Sequence, residues 1–242
     1  MLKAVIFDFD GVLVDSELLH HQAFNLIFAQ FNFQITTGEY FDRFLGLSDE
    51  ELLRTIDKEK ELFLSENQLE QLLHEKAHTF KNLALTQAAV IAGVPQFLKM
   101  LSDNKTPMAI CSGALLPEIE MILKGAGLRN YFDVIVSAEQ VKKGKPDPEG
   151  LLLALKLLNK LVRRSCGGKI QPYVVSEVEP SIKPENCIVI EDSHWGLEAA
   201  RNAGMHSVAV TNSYPADQLK PSDKIIANLG ELSLDNLHAL CH

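Results

Sequence analysis

Two aspartates stand two residues apart near the start of the chain. Asp8 and Asp10 follow a short apolar run, residues 2–7, and Gly11 comes directly after them. Side chains alternate along an extended chain, so Asp8 and Asp10 are expected to point the same way. Two carboxylates held that close repel each other unless a cation or a shared proton offsets their charge. A hard cation with oxygen ligands, above all Mg²⁺, fits such a pair.

Three later segments place further polar groups after apolar runs. They are Ser112 and Gly113 after residues 107–111, Lys145 in the turn after residues 134–136, and Glu191 and Asp192 after residues 187–190. Ligands of an open parallel sheet bind outside the carboxyl ends of its strands. Carboxylates, a hydroxyl and an ammonium at one such edge suit phosphoryl transfer. A cation and the lysine can neutralise a phosphate, the hydroxyl and the Gly113 backbone can hold its oxygens, and a carboxylate can attack phosphorus.

The elements that must position these groups alternate along the chain. Apolar runs rich in β-forming residues predict strands over 2–7, 107–111, 134–136, 187–190, 207–210 and 224–226. Helical periodicity separates them at 94–101, 115–124, 148–161 and 194–202, and Gly125 and Gly204 are expected to terminate two of these helices. Strands alternating with helices predict an α/β fold with a doubly wound parallel sheet.

Two segments break this alternation. Residues 16–86 show only helical patterns, so we expect an inserted all-helical cap over the carboxyl edge of the sheet, with residues 1–15 and 87–242 forming the α/β core. Residues 165–184 are rich in Gly, Pro, Ser and Glu and have no helical period. They are typical of an irregular surface loop, and a lid or a partner-binding hairpin is the alternative.

Composition excludes several classes of protein. The 242 residues carry a net charge of −9, which disfavours nucleic-acid binding. No run approaches the ~18 apolar residues that a membrane span needs, and the amino terminus does not have the pattern of a signal peptide. The four cysteines form no CxxC pair, so a zinc site or a disulfide framework is not expected and the cytoplasm is the expected compartment. A monomer or a weak dimer is expected.

Four motifs, each at the end of a predicted strand and in a fixed order, resemble those of the haloacid dehalogenase-like (HAD) superfamily. They read Asp8-Phe9-Asp10-Gly11, Ile110-Cys111-Ser112-Gly113, Lys145-Pro146-Asp147-Pro148 and Ile190-Glu191-Asp192-Ser193. The helical block resembles the small cap of the subgroup that holds phosphoglycolate phosphatases, β-phosphoglucomutases and CbbY-like sugar-phosphate phosphatases. The resemblance implies a Rossmann-like core and covers nearly the whole chain apart from residues 165–184.

The resemblance implies a role for each carboxylate. Asp8 would be the nucleophile that accepts the phosphoryl group, and Asp10 the acid that protonates the leaving oxygen and later activates water. Mg²⁺ would be held by Asp8, the backbone carbonyl of Asp10 and Asp192. Glu191 would be either a direct ligand or a residue that orients the ligands.

The resemblance also implies contacts with a substrate. Ser112 and Lys145 would hold the transferring phosphate, with Gly113 beside them. His20 follows the first motif, at a position where relatives with this cap carry a histidine near the substrate. Trp195 is expected to be a packing or surface residue.

The expected activity is hydrolysis of a small phosphorylated metabolite, a sugar phosphate or a phosphoglycolate-like acid. A β-phosphoglucomutase-like hexose-phosphate mutase is the alternative enzyme. Asp49 weakens that alternative, because β-phosphoglucomutases carry an arginine there that grips a second phosphate; Lys76, Arg43 or Arg54 could supply the missing charge. A binding module without catalysis is the third interpretation, which the intact Asp8 and Asp10 disfavour.

Overall fold

A computed structural model describes residues 1–44, 47–87, 90–165 and 182–241. The described strands, in chain order, are β1 Ala4–Phe7, β2 Met108–Cys111, β3 Val134–Val136, β4 Cys187–Glu191, β5 His206–Val210 and β6 Lys224–Ile226. The described α-helices are α1 Glu17–Phe28, α2 Thr37–Arg43, α3 Asp49–Lys60, α4 Glu66–Gln87, α5 Val94–Asp103, α6 Leu116–Gly125, α7 Glu149–Ser165, α8 His194–Asn202 and α9 Leu234–Leu240. Single 3-10 turns span Ala29–Phe31, Arg129–Tyr131, Ala138–Gln140, Pro184–Asn186 and Leu229–Glu231.

The six strands form one parallel sheet in the order β3-β2-β1-β4-β5-β6. All four residues of β1 are buried, as expected of a central strand covered on both faces. On one face α7 and α8 pack through small and aliphatic side chains, among them Ala154 and Ala199. On the other face Phe7 packs edge-to-face on Phe97 and Phe132, at 6.0 and 5.8 Å between ring centroids. Helices on both faces make this the predicted doubly wound α/β fold.

The chain divides into two compact units, Met1–Val14 with Val90–His242 and Asp15–Ala89. The predicted boundaries were residues 1–15 and 87–242 for the core and 16–86 for the helical block. The second unit, called the helical unit below, contains α1 to α4 and no strand in its described residues.

The helical unit has its own apolar cluster. Side chains from α1, α2, α3 and α4 meet there, including Phe24, Tyr40, Leu53 and Leu72. On α1 the buried stripe includes Leu19, Phe24 and Phe28. The helix α3 begins at a capping box, in which Ser48 and Glu51 satisfy each other's backbone N–H groups.

Two features of the helices differ from the prediction. Gly125 lies inside α6, and Gly127 takes the positive φ that ends this segment. The carboxyl-terminal helix α9 was not predicted; at seven residues it is too short to give a clear period.

Most of the predicted irregular segment 165–184 falls outside the described residues, as do residues 45 and 46 of the predicted helical block. The described chain resumes at Ile182, which is buried and exchanges two hydrogen bonds with the Asn159 side chain on α7, at 2.7 and 2.9 Å. No helix in the described ranges has both the length and the apolar character to cross a membrane.

Candidate active site

The sheet brings three of the predicted strand ends together. Phe7 at the end of β1 is in register with Ile110 of β2 and Ile190 of β4. Asp8 N donates to the Ile190 carbonyl at 2.9 Å, so Asp8 is held beside the end of β4. On the neighbouring strands, Ser112 follows Cys111, the last residue of β2, and Glu191 is the last residue of β4. Parallel pairing in this register therefore brings Asp8 close to residues that lie more than a hundred positions away in the sequence.

Lys145 links two of these carboxylates. Its Nζ donates to Oδ1 of Asp8 at 2.6 Å and also to Oε1 of Glu191. Burial by itself would lower the pKa of Lys145, but the charges of Asp8 and Glu191 outweigh burial and raise that pKa well above its usual range. Lys145 is therefore a fixed positive charge at the end of β1.

Glu191 is fully buried and both of its carboxylate oxygens are engaged. Oε1 accepts from Lys145, and Oε2 accepts from the backbone N–H groups of Asp192 and Ser193, both at 3.1 Å, and from Ser193 Oγ at 2.9 Å. The backbone donors lie at the start of α8, where N–H groups lack helical partners and favour an anion. Gly196 makes room for this carboxylate, because a Cβ there would lie 1.8 Å from Oε1. Glu191 thus joins the start of α8 to Lys145.

Asp192 is buried beside the turn that follows β1. Its Oδ2 accepts a hydrogen bond from Ser213 Oγ, in the loop after β5. Gly11 has a positive φ of 72°, and a Cβ on it would lie 1.8 Å from Asp192 Oδ2. Only glycine fits this position, because the turn requires a positive φ and because any side chain would collide with the Asp192 carboxylate.

The carboxylates form a group that fits a divalent cation. Ligand atoms of Asp8, Glu191 and Asp192 all lie within 4.8 Å of one another. Burial raises the pKa of Asp8 to about 6; the Lys145 ammonium opposes that rise and the Glu191 carboxylate adds to it. Burial, followed by the charges of Asp8 and Glu191, raises the pKa of Asp192 to about 8. These shifts mean that negative charge is crowded here, and an oxygen-coordinated cation such as Mg²⁺ would relieve the crowding.

The other predicted site residues fall in two places. Asp10 lies in the turn after β1, where Phe9 is buried and Asp8 and Asp10 on either side are partly exposed, as alternation predicts. Ser112 Oγ accepts from the backbone N–H of Ala114 at 3.0 Å. His20, by contrast, belongs to the helical unit, where its Nδ1 lies 2.5 Å from Lys76 Nζ and its ring stacks on Phe80.

A cavity of about 640 Å³ opens at this end of the sheet within the α/β unit. Four of the predicted site residues line this one cavity: Asp8, Ser112, Gly113 and Lys145. Lys142, Lys143 and Trp195 are among the lining residues that were not predicted to belong to the site. Trp195 was expected to be a packing or surface residue, and the only local signal of all three is their closeness in sequence to Lys145 and Asp192.

Known proteins resemble this chain over most of its length. A family model described as haloacid dehalogenase-like hydrolase matches residues 5–210. The chain is 30% identical over 208 residues to a phosphorylated carbohydrates phosphatase of Thermotoga maritima, which covers 86% of this chain and 84% of that protein. It is 27% identical over 243 residues to the β-phosphoglucomutase of Bacillus subtilis, which covers 98% of this chain and 94% of that protein.

A solved structure shares the fold. The β-phosphoglucomutase of Clostridium difficile matches with a TM-score of 0.70 and 25% identity, over 100% of this chain and 97% of that one. The predicted family, the predicted α/β fold and the predicted class of enzyme, a phosphatase of that family, are confirmed by these matches. The chain belongs to the haloacid dehalogenase-like hydrolase family.

Proposed function

We propose that this protein is a Mg²⁺-dependent phosphatase that hydrolyses a small phosphorylated carbohydrate through a phosphoryl group carried on Asp8. One observation carries the proposal: the Asp8 carboxylate accepts a hydrogen bond from the Lys145 ammonium, has an oxygen within 4.8 Å of an Asp192 carboxylate oxygen, and lines a cavity. This arrangement offers a nucleophile, a fixed positive charge and a cation site to one phosphate. The name of the Thermotoga maritima relative, which acts on phosphorylated carbohydrates, supports the class of substrate.

The chain's own groups would hold the cation unequally. Asp8 and Asp192 are its side-chain ligands in this proposal, and the backbone carbonyl of Asp10 completes the set. Glu191 is an orienting residue, because Lys145, Asp192 N and Ser193 already occupy its two oxygens. When bound, Mg²⁺ supplies charge neutralisation of the phosphate and of the attacking carboxylate.

The residues then account for both halves of the reaction. An Asp8 oxygen attacks phosphorus while the bond from phosphorus to the ester oxygen breaks, and Asp10 gives its proton to that oxygen. Water next attacks the phosphoryl group on Asp8, and Asp10 takes a proton from the water. The bond from phosphorus to Asp8 breaks, inorganic phosphate leaves, and both aspartates return to their starting states.

The phosphate itself is held by the neighbouring strand ends. Lys145 provides the ammonium, Ser112 its hydroxyl, and Gly113 a backbone at which a Cβ would meet no atom within 4 Å. Each of these groups lines the cavity beside Asp8. The contact of His20 with substrate stays a prediction.

Charges in the helical unit disfavour the alternative of a hexose-phosphate mutase. A mutase must grip a second phosphate, but Asp49 accepts two hydrogen bonds from Lys76, both at 2.6 Å, and so neutralises that cation. Arg43 is paired with Glu39 and Glu59. Arg54 is paired in the same way with Glu50 and Glu66.

The test is release of inorganic phosphate from a panel of sugar phosphates and short phosphorylated acids, with and without Mg²⁺. We expect Mg²⁺-dependent release that falls at least ~10³-fold in Asp8→Asn, because the amide cannot accept the phosphoryl group. Asp235→Asn, an exposed aspartate in the first turn of α9, is the matched control and should keep full activity. Interconversion of hexose-phosphate isomers primed by a bisphosphate, without net release, would instead indicate a mutase.

A further inference from the structure

Trp195 lies half exposed on the wall of the active-site cavity. It is the single tryptophan of the chain, and 52% of its surface is exposed. It lines the same cavity as Asp8, Ser112 and Lys145. Large aromatic side chains contribute most to a fold when they are buried, so this exposure is not explained by stability.

The backbone beneath Trp195 is fixed by the site itself. Trp195 is the second residue of α8, and the N-cap residue Ser193 accepts from Gly196 N at 3.2 Å while donating to Glu191. The contacts that orient Glu191 therefore also fix the start of the helix that carries Trp195.

Two neighbouring rings support the indole. The ring of His194 lies 4.3 Å from that of Trp195 between centroids, and Tyr214 meets His194 edge-on at 5.4 Å. The neighbouring rings of Tyr214 and His194 restrict the position of the indole and still leave it exposed. A supported and exposed ring is a suitable surface for a ligand, because little side-chain freedom is lost on binding.

The cavity is also larger than a phosphate needs. Its lining includes the ion pair of Asp8 and Lys145, called the charged end below, and the apolar side chains of Val136, Val141 and Leu151. A volume of about 640 Å³ is in the range of sites that enclose a whole small metabolite. A phosphate held at the charged end leaves room in which an organic group can reach the indole face.

We propose that Trp195 is the residue that selects the organic part of the substrate, by stacking against the C–H face of a sugar ring or chain. This inference rests on the proposed function. The face of an aromatic ring carries partial negative charge and attracts C–H groups with partial positive charge. Such stacking favours carbohydrate phosphomonoesters over short phosphorylated acids, because a two-carbon acid such as phosphoglycolate has no extended C–H face to lay on the ring.

Kinetics of Trp195→Ala and Trp195→Phe test the selection. With the best hexose phosphate of the panel, we expect Trp195→Ala to raise KM by about 10- to 30-fold and to change kcat by less than about threefold. Trp195→Phe should recover most of the loss, since it keeps an aromatic face. Acetyl phosphate has no sugar to stack, so its hydrolysis should change by less than about twofold in both variants. An equal loss with acetyl phosphate would show a structural role and overturn the proposal.

Fluorescence of the single tryptophan gives a measurement that does not need turnover. In Asp8→Asn with Mg²⁺, a saturating hexose phosphate should change Trp195 emission, whereas inorganic phosphate, which fills only the charged end, should change it much less. Titration calorimetry under the same conditions reports whether the hexose phosphate binds. Binding without a change in emission, or no binding of any hexose phosphate, overturns the proposal. If the wild type released no phosphate at all but these titrations succeeded, the proposed reaction would fail and the selection by Trp195 would stand.

Discussion

At the scale of single residues, the site depends on how Asp8 and Asp192 carry their charge. Burial is the main cause that raises the pKa of Asp8 to about 6 and the pKa of Asp192 to about 8. Lys145 offsets part of the charge at Asp8, and Ser213 donates to Asp192. The remaining excess of negative charge explains why a cation, rather than further lysines, suits this place.

The raised pKa of Asp192 predicts how stability depends on pH and on Mg²⁺. A carboxyl whose pKa is about 8 in the folded protein and 3.8 ordinarily binds its proton more tightly when folded. Its contribution to stability is complete below about pH 4 and is lost as pH rises towards 8. The Tm of the metal-free protein should therefore decrease as the pH is raised from 5.5 to 8.5. Mg²⁺ at about 100 times its Kd should raise Tm by roughly 5–10 °C at pH 8.5, and by less at pH 5.5, where protons compete for the same oxygens.

Differential scanning fluorimetry at the two pH values measures both effects. Asp192→Asn removes the titrating group and should remove most of each effect, while the exposed control Asp235→Asn should keep both. An Mg²⁺ shift of equal size at pH 5.5 and pH 8.5 would contradict the assignment of Asp192 to the cation site.

At the scale of elements, the start of α8 determines the position of Glu191 and, through it, of Lys145. Gly196→Ala places a methyl group where Oε1 of Glu191 now lies, 1.8 Å from the ideal Cβ. Glu191 must then move and release Lys145, so we expect kcat to fall at least ~10-fold and stability to fall by about 1–3 kcal/mol. Phosphate release and urea unfolding measure the two effects.

Gly38→Ala is the matched control, because a Cβ on Gly38 meets nothing within 4 Å and Gly38 lies inside α2. It should leave activity unchanged and add up to about 1 kcal/mol through helix propensity. Full activity in Gly196→Ala would mean that the position of Glu191 does not matter.

The ion pair between α3 and α4 belongs to the helical unit. Lys76 is only 1% exposed, its ammonium lies over the rings of Phe24 and Phe80, and Asp49, which is 41% exposed, accepts from it. Asp49→Ala would leave a buried ammonium without its carboxylate, so we expect the helical unit to lose about 2 kcal/mol of stability. The added change Lys76→Met should restore most of the loss by removing the buried charge.

Hydrogen exchange of the α4 amides measures this loss of stability directly. The control is Asp42→Ala, which changes an exposed aspartate on α2. Unchanged protection of α4 in Asp49→Ala would show that other contacts of Lys76 suffice.

At the scale of the whole molecule, the chain forms two compact units with separate apolar clusters. Units with their own cores unfold with their own free energies in many proteins. We expect hydrogen exchange in increasing urea to give one free energy of opening for peptides of α1 and α4 and another for peptides of β1 and β4. Mg²⁺ should raise the second more than the first, because its proposed ligands are in the α/β unit. Identical values that rise together with Mg²⁺ would show a single cooperative unit instead.

The sequence by itself determined the fold class and the family, and it predicted most of the residues that the structure brings together at the candidate site. Burial on both faces makes the strands continuous apolar runs, and the residues that end such runs must lie at the edge of a parallel sheet. A strand and the residues that follow it are neighbours in the sequence, so Asp8, Ser112 and the Glu191–Asp192 pair could be predicted from local pattern alone. The short helix α9 was not predicted, and neither was the positive φ after α6 at Gly127 rather than at Gly125, because such signals are weak over a few residues.

Only the tertiary structure decided which groups touch. Lys145 contacts Asp8 from 137 positions away and Glu191 from 46, and Ser213 reaches Asp192 from a loop that has no motif. The neutralisation of Lys76 by Asp49 and the position of Trp195 on the cavity wall are equally invisible in the order of residues. A periodic pattern indicates whether a side chain faces the core. A contact between distant segments depends instead on strand order and on the space left by residues such as Gly11 and Gly196. Strand order and that space exist only once the chain is folded.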